Sequence, residues 1–324
     1  MTELAAQAAS STAGPPADAK AAGSARTTLV IWNPGAGGGE PADDQVADRR
    51  AAIESALRGH RIHAELHQSA SEADTARRVD AALGDGVSTI VAAGGDGTVR
   101  SIAFQLVGRD AALGILPLGT AMNVARSLEI PLELEGAAAV LAAGHVRSID
   151  VGEVRGRKFL EVASIGLGAE VLAGATHAGE GRFRRAWATL RRAVTQPRTR
   201  VRLQLDGREV RGRALSIAVA NGRFTGRGIE LVPEAKLDDG RFDVLLYEGF
   251  GPLRIATDIV HVLLGRTNEP RLRRYRAATV RISSRRPLPV RLDSQDVGTT
   301  PVELVTRRGA LRVVAPPSPP GDAK

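Results

Sequence analysis

The sequence predicts two domains of different class: an N-terminal open parallel α/β domain, then a C-terminal antiparallel domain of β-sandwich-like type. Three observations carry this. Through residue 147, short apolar runs alternate with helical patterns across short loops, the signature of a parallel sheet covered on both faces. From residue 148 to 315, short alternating runs dominate, with turn signals such as Asp206-Gly207 and Asp239-Gly240 between them. Three glycine-bearing turns in the first half each follow an apolar run. They therefore gather at the carboxyl edge of the sheet, where ligands bind in open α/β folds.

In chain order, residues 1–26 are rich in Ala, Ser, Gly and Pro and read as a disordered leader. Residues 28–32 suit a first strand, followed by Asn33-Pro34-Gly35-Ala36-Gly37-Gly38-Gly39. A helix over 43–57 buries Val46, Ile53, Ala56 and Leu57 on one face. A second strand over 62–66 precedes a helix over 72–83, with Ser71 as its cap. The strand over 87–93 runs into Gly94-Gly95-Asp96-Gly97-Thr98-Val99 and another helix. A fourth strand, 113–117, ends in Leu118-Gly119-Thr120-Ala121-Met122-Asn123 and a short helix to residue 128. A helix over 134–143 is closed by Gly144. The second domain shows strand patterns at 148–154, 159–165, 201–205, 214–220, 242–247, 279–283, 290–292, 302–305 and 311–314. Two helical stripes interrupt it, Phe183-Trp187-Leu190-Val194 and Ile255-Ile259-Val262-Leu263. Residues 316–324 form a polar tail, and no repeats occur. The resulting division is 1–26, 27–147, 148–315 and 316–324.

The 324 residues carry a formal charge of +8, which favours acidic partners such as nucleic acid, anionic membrane or a phosphorylated substrate. Aromatic residues make up only 3%, so the core must be aliphatic. With no Cys there is neither a disulfide framework nor a thiolate metal site. The leader lacks the apolar stretch of a signal peptide and no run reaches transmembrane length. The expected location is cytoplasmic, with at most peripheral membrane contact.

The Gly94–Val99 stretch carries the chemistry. Glycines let a polyanion approach backbone amides without a Cβ in the way, and the helix that follows adds its dipole. Asp96 among them would repel a bare phosphate, which implies a bridging cation such as Mg²⁺. Thr98 can cap the helix or bond a phosphate oxygen. The first glycine loop is no Walker loop, lacking a Lys-Ser/Thr pair, and no dinucleotide fingerprint, since residue 40 is Glu. The domain is thus of nucleotide-binding type.

The ordered series Asn33-Pro34, Gly94-Gly95-Asp96-Gly97-Thr98, Pro117-Leu118-Gly119-Thr120, Ile149-Asp150-Val151-Gly152, Phe159 to Gly166, Asn221-Gly222-Arg223-Phe224 and Pro233 to Gly240 resembles the diacylglycerol kinase catalytic domain family. The likeness is to its soluble bacterial diacylglycerol- and sphingosine-type lipid kinases, from about residue 28 to 315. It implies ATP-dependent phosphorylation of a lipid hydroxyl, with ATP at the sheet edge and the lipid entering between the domains. It further implies ATP contacts from Asn33, Gly94, Gly95, Asp96, Gly97, Thr98, Val99 and Thr120. Asp96 and Asp150 would belong to an Mg²⁺ network, and Asp293 would be the general base. Lys236, Asp239 and Arg241 would belong to a second, structural Mg²⁺ loop. From its neighbours alone Asp293 reads as a hairpin-tip residue, and Asp239 as a turn residue before Gly240.

Several positions depart from the family pattern. Arg100 and Ser101 replace Asn-Glu, Gly119-Thr120-Ala121-Met122-Asn123 replaces Gly-Thr-x-Asn-Asp and so removes one acid from the metal network, and Asp293-Ser294-Gln295 replaces Asp-Gly-Glu. Glu161 stands for an Asn, and His67 for a Thr. His63 and His67 lack a third ligand for zinc, and Ser164 lacks the glycine of a nucleophile elbow. Arg182, Arg184, Arg185, Arg191 and Arg192 flank Phe183 and Trp187, which suits either a solvated face or membrane docking over 182–194. A second cluster holds Arg271, Arg273, Arg274 and Arg276. The leading function is a lipid kinase acting on diacylglycerol, a sphingoid base or a related alcohol. A kinase of a soluble substrate such as NAD, or a nucleotide- or lipid-binding protein without turnover, are the alternatives. No nucleic-acid partner is expected, and an exposed sheet edge leaves homodimer formation open.

Overall fold

A computed structural model describes residues 28–35, 42–166, 198–248, 272–293 and 295–318. The first half alternates as expected: β1 (Thr28–Trp32), α1 (Asp43–Gly59), β2 (Ala64–Gln68), α2 (Glu72–Gly84), β3 (Thr89–Gly94), α3 (Asp96–Leu106), β4 (Ala112–Pro117), α4 (Asn123–Ser127) and α5 (Leu134–Ala143). The strands pair in parallel in the order β2-β1-β3-β4. Leu29 to Trp32 are buried throughout, because helices cover both faces of a parallel sheet. Ser71 caps α2 by accepting from the Asp74 amide at 3.1 Å. Gly144 ends α5 in the left-handed conformation, φ 64°, which costs glycine nothing.

The second half comprises β5 (Val146–Val154), β6 (Arg157–Phe159), β7 (Val162–Gly166), β8 (Thr199–Leu205), β9 (Arg208–Ala214), β10 (Ser216–Ala220), β11 (Phe224–Thr225), β12 (Ile229–Glu230), β13 (Phe242–Tyr247), β14 (Leu272–Ala277), β15 (Thr279–Ser284), β16 (Pro289–Leu292), β17 (Gln295–Thr299) and β18 (Val302–Val314). Strands β14-β13-β10-β7-β16-β17 form one antiparallel sheet. Its inner face packs on β8, β9, β15 and the start of β18. The core between them includes Phe159, Leu203, Val219, Val244, Val280 and Leu304. Phe159 and Phe242 stack there with ring centroids 5.5 Å apart.

The first sheet differs from expectation in one respect. It is not open at β4: β18 lies beside it in parallel, with Val313 opposite Leu113. β18 also pairs antiparallel with β5 and β15, so one ten-stranded mixed sheet runs through both lobes. A buried strand such as β4 needs a partner for its edge amides and carbonyls, and β18 supplies it. The runs expected at 302–305 and 311–314 are therefore one strand, with an irregularity between Arg307 and Leu311. The expected helices at 183–194 and 255–263, the leader and residues 36–39 lie outside the described residues.

Candidate active site

The carboxyl ends of β1, β2, β3 and β4 surround a cleft of about 520 Å³. Asn33, Ser69, Ser71, Thr75, Gly95, Asp96, Gly97, Thr98, Ser101, Gly119 and Thr120 line it. It lies where the strand order reverses between β1 and β3, the usual ligand crevice of such sheets. Its volume lies in the range of small-molecule sites. Asn33 is held at the rim. Its amide donates to Ala93 O at 3.1 Å, and its Oδ1 accepts from the Gly35 amide at 2.9 Å.

Two backbones nearly touch on the floor. A Cβ on Gly119 would lie 2.7 Å from Gly95 Cα, so any side chain there would prise the turns apart. One on Gly94 would run into the Thr98 side chain, 2.6 Å from its Cβ. Above Gly97 nothing lies within 4 Å. Gly95 is the N-cap of α3, so the first amides of that helix face the cleft without intrahelical partners. Of the residues expected to touch a nucleotide, Asn33, Gly95, Asp96, Gly97, Thr98 and Thr120 line the cleft. Gly94 and Val99 lie beneath it. Val99 is core, 1% exposed, and its amide donates to Gly95 O at 3.0 Å.

Asp96 clamps the two turns together. Its Oδ2 accepts from the Met122 amide at 2.9 Å and its Oδ1 from the Asn123 amide at 2.6 Å. Asn123 then reaches the second lobe. Its Nδ2 donates to Glu161 Oε2 at 2.8 Å and to Gly226 O at 3.0 Å. Glu161 is nearly buried. That burial, with Asp293 and Asp96 nearby, pushes its carboxyl well above the usual range, against the pull of Asn123 and Arg100. Asp293 sits at the tip after β16 with φ 50°. Its carboxylate accepts from the amides of Glu161 and Val162 on Oδ1 at 3.0 and 3.1 Å, and from Leu160 on Oδ2 at 3.2 Å. Burial raises it, while the Arg100 charge and those amides pull it down. Asp293 is thus both the turn residue its neighbours suggest and a half-buried acid, joined to the Asp96 turn through Glu161 and Asn123.

Asp150 goes elsewhere. It is 1% exposed, and its carboxylate accepts from the amides of Gly240 and Gly309 at 2.5 and 2.7 Å. Burial and the nearby Asp239 and Asp238 raise it. Lys236, Asp239 and Arg241 share that loop. Asp239 accepts from the Arg241 amide at 2.9 Å and pairs with Arg276, and Asp238 pairs with Arg147 at 2.8 Å. The expected acids therefore fall into two groups: Asp96 with Asp293, and Asp150 with the 236–241 loop.

The diacylglycerol kinase catalytic domain matches residues 27–154, and the YegS C-terminal NAD kinase beta sandwich-like domain matches residues 161–315. A Pseudomonas aeruginosa protein named "Probable lipid kinase YegS-like" is 33% identical over 305 residues, covering 91% of this chain and 96% of its own length. The chain belongs to the YegS-like family of diacylglycerol kinase-type proteins. A Pseudomonas fluorescens protein of the same name is 34% identical over 285 residues, 84% of this chain and 91% of its own. The crystal structure of a diacylglycerol kinase from Bacillus anthracis str. Sterne shares the fold. It has a TM-score of 0.69 at 22% identity, over 90% of this chain and 97% of that one.

Phosphoryl-transfer sites use a divalent cation beside the phosphates. Among the described residues no three His, Cys, Asp or Glu side chains converge on a ready metal cage. Yet Asn123 Oδ1 is buried without a hydrogen-bond partner, beside Glu161 and close to Asp96. Mg²⁺ typically takes one or two carboxylates and completes its shell with water and phosphate oxygens. Asp96, Glu161 and Asn123 Oδ1 fit that pattern. Sequence reasoning did not foresee Ser69 and Thr75 in the cleft, whose hydroxyls meet at 2.6 Å. The only signal there was the serine cluster before α2. It also placed Glu161 and Arg100 as departures from a pattern, without their joint approach to Asp293.

Proposed function

We propose that the protein is an ATP- and Mg²⁺-dependent lipid kinase that phosphorylates the hydroxyl of diacylglycerol or a related lipid alcohol. The observation that carries this is the chain of hydrogen bonds that joins acids of both lobes: Asp96 accepts from the Asn123 amide, Asn123 Nδ2 donates to Glu161, and the Glu161 amide donates to Asp293 at the β16 tip. In this reading residues 27–147 form the nucleotide lobe and residues 148–315 the lipid lobe, with 1–26 and 316–324 outside both.

Phosphoryl transfer needs alignment, charge neutralisation and an acceptor for the hydroxyl proton. Bound ATP and Mg²⁺ would supply the phosphoryl group and offset its charge. The amides of Gly95, Gly97 and Thr98 and the turn at Thr120 bind and orient the phosphates, and Asn33 borders the nucleoside end. Asp96 fixes the Gly119–Met122 turn and, with Glu161 and Asn123, would hold the cation. Asp293 Oδ2, with one long amide bond, accepts the lipid hydroxyl's proton as its oxygen bonds to phosphorus. Burial makes Asp293 a better base than a solvated Asp. Lys236, Asp239, Arg241 and Asp150 serve as a structural loop, with any second Mg²⁺ held partly by backbone carbonyls.

The protein would work in the cytoplasm at the inner membrane surface, without nucleic acid. Incubation with radiolabelled ATP, a panel of lipid alcohols and NAD tests the assignment. Label in the organic phase is the expected result. Label on NAD would move the assignment to the soluble-substrate reading, for which the name of the matching C-terminal domain is the one argument. ATP binding without label in any acceptor would make the protein a non-catalytic binder.

A further inference from the structure

On the outward face of β8, Arg200 and Arg202 alternate with buried Val201 and Leu203. Arg213 stands directly opposite Arg200, and Arg211 opposite Arg202, on β9. Arg285 follows β15, its amide bonded to Arg200 O at 3.0 Å. These side chains edge a hollow of about 620 Å³. One acid, Glu209, serves Arg202 and Arg211. Arg200, Arg213 and Arg285 form no ion pair among the described residues.

Like charges directly opposite each other in an antiparallel pair destabilise it. Edge protection accounts for arginines on β9, the last strand of the sheet. It does not account for Arg200 and Arg202, which lie one strand further in. The β14 arginines differ. Arg273 pairs with Glu248, Arg274 with Glu234, and Arg276 with Asp239 and Asp243, so that part of the second basic cluster is neutralised. Val305, 40% exposed and the one exposed large apolar side chain among the described residues, stands on the outward face of neighbouring β18.

We propose that the outward face of β8, β9 and β15 is the surface on which the protein rests against an anionic lipid bilayer. A sheet face carrying Arg200, Arg213 and Arg285 outside any ion pair among the described residues matches a plane of lipid phosphates, while Glu209 and Glu303 neutralise Arg202, Arg211 and Arg281 beside them. The inference rests on the reading of the substrate as a membrane lipid. It adds the face through which that membrane is met, on residues remote from the β3–α3 turn.

The test sediments the full chain with vesicles of phosphatidylcholine alone and with phosphatidylglycerol added. The wild type should bind only the anionic vesicles and release them as salt rises. Arg200→Gln/Arg213→Gln should bind about thirtyfold more weakly, at roughly one kcal/mol for each of the two basic side chains. Arg274→Gln, on the neutralised strand, should bind like the wild type. Circular dichroism and thermal unfolding check that the double variant folds. Wild-type binding by the folded double variant overturns the proposal, as does a wild type that ignores anionic vesicles. A change in oligomer mass instead would assign the face to a second copy of the chain. Phosphorylation of a short-chain diacylglycerol in detergent should be equal in wild type and double variant. If neither phosphorylates any lipid while the vesicle difference persists, the kinase reading fails and the docking face stands.

Discussion

Asn123 donates from Nδ2 to Glu161 Oε2 at 2.8 Å, and this bond joins the turn after β4 to the bend just before β7 in the second lobe. Because Asp96 holds the Asn123 amide from the other side, movement of either lobe is felt at the glycine turn. Glu161 is the hinge of that chain of contacts and its least comfortable member. Burial and two neighbouring acids raise its carboxyl.

A raised acid favours the folded state below its unfolded pKa and loses that advantage as pH rises through the folded value. Glu161→Gln keeps an acceptor for Asn123 and removes the ionisation. The variant should match wild-type stability near pH 4 and exceed it at pH 8, by a few degrees in thermal unfolding. Equal melting curves at both pH values would show that the Glu161 carboxyl is not held up by its surroundings.

Arg100 opposes the effect of burial on Asp293. Arg100→Ala should therefore raise the Asp293 pKa and move the acid limb of the rate profile upward. The rate should thus fall more on the acid side of the profile than on its alkaline side. An unmoved limb would separate Arg100 from Asp293.

The two glycine turns should respond differently. Gly119→Ala puts a Cβ 2.7 Å from Gly95 Cα. Overpacking of this kind costs about 1–3 kcal/mol, and ATP affinity should fall with it. Gly97→Ala meets nothing within 4 Å and gains helix propensity. It should keep or raise the melting temperature yet weaken ATP binding, because its methyl enters the cleft. Calorimetric titration with thermal unfolding on both variants decides this; undiminished binding by Gly97→Ala would move the phosphates away from α3.

Asp150→Ala should be a stability variant. It leaves the Gly240 and Gly309 amides without their acceptor, at about 1–3 kcal/mol each. Thermal unfolding should drop by roughly 5–10 °C, with ATP affinity retained in the folded fraction. Lost ATP affinity at unchanged stability would return Asp150 to the Asp96 network.

Much of this architecture is legible in local pattern. The buried run of β1, the Ser71 cap and Gly144 are written within a few residues, and the glycine turns announce their own place at the sheet edge. The partner of β4 is not, because β18 lies about two hundred residues away and its apolar spacing is broken at Arg307–Ala310. β9 and β14 also escaped notice. Arginines fill their outward positions, so β9 shows only Val210 and Ala214 as an apolar alternation. Within the site, a lone Glu161 in an apolar run gives no sign of burial. The approach of Arg100 to two acids exists only once β3–α3 and the β16 tip are brought together.

In the proposed reaction Asp293 takes the proton of a lipid hydroxyl beside the β3–α3 turn. The most direct test of that step is radiolabelled phosphoryl transfer by Asp293→Asn, with ATP affinity measured on the same preparation. The variant's rate should be at least about a hundredfold lower, with ATP affinity within about twofold of wild type, because Asp293 does not line the cleft assigned to the nucleotide. Transfer at the wild-type rate would contradict it.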